Sequence, residues 1–116
     1  MKRFLPLLII LPLLLWIACE DNEVWLNARV DHTGQKIIVY NNDKFDWKEV
    51  ELELNDDYVV KINVIPAGGR RTFSLRLFST REEGKLFNSN THRVMNFRIR
   101  AKLKDGKDGF YGGNWN

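Results

Sequence analysis

Cysteine is nearly absent: Cys19 is the only one among 116 residues, so no intramolecular disulfide can form. Histidine is almost as scarce. His32 falls in an expected turn and His92 at a loop end, and no serine sits in a recognisable nucleophile elbow or triad. No sign of charge dominates either. The formal net charge is +3, and without Lys2 and Arg3 sixteen basic residues face fifteen acidic ones, which excludes a nucleic-acid binder by bulk charge. No stretch after the N-terminus carries a helical period. A mature chain of about 98 residues builds one modest core with little room for a deep substrate cavity. Together these shortages predict a single non-enzymatic domain with no cofactor and no metal.

What is present begins at the N-terminus, MKRFLPLLIILPLLLWIAC. Two positive charges, Lys2 and Arg3, precede an apolar run from Phe4 to Ala18, and small Ala18 stands directly before Cys19. This is the charged, apolar and small-residue order of a signal peptide over residues 1–18. Fifteen apolar residues are fewer than the roughly 20 that span a bilayer as a helix, and Pro6 and Pro12 interrupt the run. A cleaved leader is therefore expected rather than a membrane span.

Trp16, Ile17, Ala18 and Cys19 resemble the lipobox of bacterial lipoprotein precursors, with Trp16 where leucine is usual. The resemblance implies cleavage before Cys19, a thioether-linked diacylglyceryl group on its sulfur and an amide-linked acyl chain such as palmitate. Several chains together hold a protein to a membrane far more firmly than one. Residues 19–23 then read as the acylated cysteine and an acidic tether, Glu20-Asp21-Asn22-Glu23. Glu20, in place of the aspartate of inner-membrane retention signals, implies the outer membrane of a bacterial cell envelope.

From residue 24 to 116 apolar residues recur at period two, the mark of strands with one buried face. Val24, Leu26, Ala28 and Val30 lead through a His32-Thr33-Gly34 turn to Ile37 and Val39, predicting a hairpin. Val50, Leu52 and Leu54 alternate with Glu49, Glu51 and Glu53 over 47–54. Tyr58, Val60, Ile62 and Val64 form the next inward row, and Phe73, Leu75 and Leu77 another. Met95, Phe97, Ile99, Ala101 and Leu103 make the longest, and Asp105 to Gly109 turn the chain into a last strand over 110–115. About seven strands at short spacing predict an all-β, immunoglobulin-like antiparallel β-sandwich.

The run Asn41-Asn42-Asp43-Lys44-Phe45-Asp46-Trp47, the alternation after it, the Ile65-Pro66-Ala67-Gly68 turn and the Gly109-Phe110-Tyr111-Gly112 ending resemble small exported bacterial lipoproteins with an immunoglobulin-like domain. These are loosely similar to FxLYD-type domains. The name-giving string does not occur here, so the resemblance implies fold and compartment and transfers no site residue.

Charge is distributed unevenly. Residues 20–57 hold eleven acidic and four basic side chains, and 58–116 hold four and twelve. Glu49, Glu51 and Glu53 fall on the outer face of one strand, and Arg98, Arg100, Lys102 and Lys104 on one face of another. If the two strands are neighbours the rows pair as cross-strand ions; otherwise they form an interaction face toward an acidic or basic partner or anionic lipid headgroups. Spacing by two does not place the glutamates across a cleft as glycoside chemistry requires. The oxygen-rich turns Asn41-Asn42-Asp43 with Asp46, and Asp105 to Gly109, lack EF-hand spacing. Trp25, Phe45, Tyr111 and Trp115 are candidates for an exposed aromatic patch. The expected role is a membrane-anchored binding or structural accessory module for an envelope protein or glycan; the alternative is an inhibitor or immunity-type lipoprotein acting on a basic envelope enzyme.

Overall fold

A computed structural model describes residues 23–115. The leader, Cys19 and tether residues 20–22 lie outside the described residues. Among the described residues nine strands form: β1 (Glu23–Trp25), β2 (Ala28–Thr33), β3 (Lys36–Asn41), β4 (Trp47–Leu54), β5 (Tyr58–Ile65), β6 (Arg70–Ser74), β7 (Ser79–Thr80), β8 (Asn96–Lys102) and β9 (Asp108–Asn114). A 3-10 turn, Leu75–Leu77, lies between β6 and β7. Among the described residues no helix is long and apolar enough to cross a membrane.

The strands make a sandwich of a six-stranded sheet, β1-β9-β8-β4-β5-β7, and a three-stranded sheet, β2-β3-β6. The order β9-β8-β4-β5 follows the G-F-C-C′ order of immunoglobulin domains and β2-β3-β6 follows A-B-E. All pairs are antiparallel except β1 with β9, which runs parallel. Leu52, Leu54, Phe97 and Ile99 point inward from one sheet to meet Ile37, Val39 and Phe73 from the other, all essentially without solvent contact. Burying each such side chain stabilises the fold by about 1.5–3 kcal/mol.

There are nine strands rather than seven because the first predicted strand is two. The alternation from Val24 to Val30 is unbroken in sequence, yet the chain crosses between sheets at Leu26-Asn27. The Leu26 N–H donates to the Phe110 carbonyl at 2.8 Å in one sheet, and the Asn27 carbonyl accepts from the Asn42 N–H at 2.9 Å at the start of the other. Both sheets bury the same face, so period two continues through the crossing. Gly109 permits it, because a side chain there would run into Leu26. The other addition is the two-residue β7.

Four further expectations are corrected. Leu75–Leu77 is a 3-10 turn: the Ser74 hydroxyl accepts from the Arg76 N–H at 3.3 Å, which ends β6, buries Leu75 and exposes Leu77. Ile65, not Val64, is the buried residue at the end of β5, because it pairs with fully buried Trp47. Met95 is exposed and precedes β8, so the inward row is Phe97, Ile99 and Ala101 with Leu103 partly buried. The last strand starts at Asp108, two residues before Phe110.

A corner of polar residues ties the sheets together. Fully buried Asn41 donates through Nδ2 to the Phe45 and Ile65 carbonyls, both at 3.0 Å, and its Oδ1 accepts from the Asp43 N–H at 2.9 Å. The Asp43 carboxylate accepts from the Trp47 indole N–H at 3.0 Å and the Asn27 N–H at 3.2 Å. An amide with three partners can be buried without an unsatisfied-group penalty.

Candidate functional site on the outer face of the six-stranded sheet

The acidic and basic rows are on neighbouring strands. Glu51 stands opposite Arg100 and Glu53 opposite Arg98 in the β4–β8 register. Arg98 reaches Glu53 at 3.5 Å, and Arg100 reaches Glu51 at 4.0 Å. The rows are therefore partly spent on each other. Glu53 is almost fully buried, which a carboxylate tolerates only when paired.

The strongest partner of both carboxylates was not legible in the pattern. Arg81, just after β7, reaches over β5 and donates to both Glu51 oxygens at 3.2 and 2.8 Å and to Glu53 at 2.9 Å. This fork geometry is what a guanidinium offers a carboxylate. The Arg81 hydrogen bonds hold the Glu51 carboxyl below the usual carboxylate range against the opposing effect of burial, with Lys61 and Arg100 adding to the depression. Arg81 is correspondingly raised. It stands in a polar loop next to Glu82 and Glu83, where sequence gives no sign that it turns back onto β4.

Glu49 leaves the row. Lys48 stands opposite Lys102 and Glu51 opposite Arg100, so β4 spends one extra residue against β8 there, a β-bulge. Glu49 sits at φ 46, a left-handed conformation in which a glutamate is strained. The bulge lets Trp47 and Val50 both face the core although they are three apart. It also leaves Glu49 exposed and, among the described residues, outside any ion pair within 4 Å. Lys102 bonds Asp108 of β9 at 2.6 Å instead, and that hydrogen bond raises its pKa. Lys104 lies beyond the end of β8, exposed in the turn to β9, and so is not part of the strand's row.

Where the bulge opens the ladder a cleft of about 640 Å³ forms, lined by Glu23, Glu49, Glu51, Arg100, Lys102, Asp108 and Phe110. Register places Trp25, Phe110 and Arg100 in one line across β1, β9 and β8, with Glu51 and Lys61 continuing it across β4 and β5. Trp25 is 64 % exposed, yet its ring meets Phe110 edge-on at 5.4 Å and Tyr111 at 6.0 Å. Of the other candidate aromatics, Tyr111 packs against the core while meeting Trp25, and Phe45 and Trp115 pack against the core.

The remaining candidates do not assemble into chemistry. His32 and His92 line one cleft of about 430 Å³ at the opposite end of the sandwich, where the Ser89 hydroxyl donates to Gln35 at 2.6 Å rather than to an imidazole. Asp46 accepts from the Ala67 N–H at 2.9 Å, so it and Asp43 serve the corner. Among the described residues no three His, Cys, Asp or Glu side chains are grouped to hold a metal ion. No family model, curated protein or solved structure matches this chain.

Proposed function

We propose that this chain is a lipid-anchored, non-catalytic binding module of the bacterial cell envelope, held by acyl chains on Cys19 and favouring the outer membrane. The observation that carries the reading is the junction: a signal-peptide leader ends at the only cysteine, and only residues 20–22 separate it from β1, an edge strand of a sandwich. Three residues extend about 10 Å at most, so the anchor keeps the domain close to the lipid surface. The outer face of the six-stranded sheet, with its cleft and exposed Trp25, is the surface offered to a protein or glycan of the envelope.

The inhibitor alternative needs an acidic face free to cover a basic enzyme. Arg81 and Arg98 already occupy Glu51 and Glu53, which weighs for the binding module. Replacing Cys19 by serine is expected to move the mature protein from the membrane to the soluble periplasmic fraction. Mass spectrometry of the mature N-terminus should find Cys19 carrying diacylglyceryl and an acyl chain. Membrane attachment that survives Cys19→Ser, or an unmodified Cys19, would refute the reading.

A further inference from the structure

We infer that the cleft beside the β4 bulge is a binding site for an uncharged saccharide chain, with Trp25 as the stacking platform and Arg100, Lys102, Glu49 and Asp108 as the hydroxyl-binding groups. This deepens the binding-module reading and rests on it for the setting, not for the chemistry.

Three observations select this ligand. The first is the aromatic ring. Phe110 and Tyr111 both meet the Trp25 ring while most of its surface stays in water. A large exposed apolar ring packed on Phe110, which lines the cleft, offers contact area, and the C–H face of a pyranose is its natural complement.

The second is the lining's mixture of donors and acceptors. Arg100 and Lys102 present only N–H donors, and Glu23, Glu49, Glu51 and Asp108 present only acceptors. A sugar hydroxyl donates and accepts at once, so neighbouring hydroxyls satisfy both kinds of group together. Arg100 is the available donor, because its nearest carboxylate, Glu51 at 4.0 Å, is held more closely by Arg81 at 2.8 Å. Glu49 is the available acceptor, because the bulge takes it out of the ladder.

The third is charge balance. The four carboxylates of the lining are matched by Arg100 and Lys102 within it and by Arg81 and Lys61, which pair with Glu51 from outside. A strongly anionic ligand would meet Glu23 and Glu49 and a strongly cationic one Arg100 and Lys102, whereas an uncharged ligand meets neither repulsion. From the Trp25 row to Arg100 is two strand spacings, about 10 Å, the length of a disaccharide. The ligand is thus a chain of at least two sugars.

Titration calorimetry of the full chain in detergent micelles tests this with cellotetraose, maltotetraose and chitotetraose as neutral probes, and with tetragalacturonate and tetralysine as charged ones. At least one neutral probe is expected to bind at micromolar to millimolar concentration. Trp25→Ala should weaken that binding tenfold or more, Arg100→Ala and Glu49→Gln each about three- to tenfold, and Lys85→Ala, away from the cleft, should leave it unchanged. Circular dichroism of each variant shows whether it has kept the fold, and Trp25→Phe, which retains an aromatic face, should recover part of the loss. Tighter binding of either charged probe, retained affinity in Trp25→Ala, or no binding of any neutral probe would overturn the site. The Cys19→Ser chain should bind the same probe with the same affinity. Loss of anchoring without loss of binding therefore separates failure of the envelope reading from failure of this one.

Discussion

Glutamate alternates with an aliphatic residue from Glu49 to Leu54 of β4, yet Glu49 and the pair Glu51 and Glu53 end in opposite states. In the half from Glu51 to Leu54 the strand stays in register with β8, and its carboxylates are buried under Arg81, Arg98 and Arg100. In the half from Trp47 to Val50 one extra residue throws Glu49 outward and opens a cleft. An ion-pair ladder closes a sheet face; a single bulge in the same strand reopens it. The difference between these glutamates lies in register.

The largest expected effect comes from removing what holds the bulged half. Trp47 is fully buried and its indole N–H holds Asp43. Trp47→Ala should cost about 3–5 kcal/mol, read as a lower urea midpoint. A loss under about 1 kcal/mol would mean the bulge does not depend on that ring.

An intermediate effect is expected from unlocking the ladder. Arg81→Ala takes the closest partner from Glu51 and Glu53, and because Arg81 is 42 % exposed in its side chain a loss of about 1–2 kcal/mol is expected. The pH dependence carries the signature. Glu51 has a folded pKa below the ordinary glutamate value of 4.5, so the unfolded chain takes up its proton first. The stability this gives is complete above about pH 4.5 and is lost as pH falls through the depressed folded value. Arg81→Ala should flatten that acid limb, and a limb of unchanged slope would remove Arg81 as its cause.

The smallest effect should be a gain. Glycine adopts the conformation of Glu49 without strain, so Glu49→Gly is expected to stabilise by up to about 1 kcal/mol. Glu49→Val should destabilise instead. If both destabilise equally, the carboxylate matters to the fold more than the backbone does.

Period two exposed the strands over 36–41, 47–54 and 96–102 because each buries one face. It did not reveal the crossing at Leu26-Asn27, where alternation runs on while the partner strand changes. Nor did it reveal the bulge, since a strand with one surplus residue reads the same until its neighbour is known. Two rows of opposite charge at equal spacing left open cross-strand pairing or an interaction face, and Glu51 with Arg100 and Glu53 with Arg98 stand opposite each other. Arg81 and Asp108 escaped because their roles depend on where loops return. Trp25 was visible as a candidate aromatic, but only the pairing of β1 with β9 puts it in line with Phe110 and Arg100.

The parallel pairing of β1 with β9 has a mechanical consequence. The first described strand lies beside the last described one, and both begin at the same end, Glu23 opposite Asp108. Tension on the N-terminus acts along the axis of β1, so its bonds to β9 are loaded together in shear rather than opened one by one. The tripeptide Glu23–Trp25 is then a clasp against a pull from the N-terminal side. It is also the element that carries the exposed tryptophan, so a force strong enough to peel it away removes the aromatic platform before it disturbs the core.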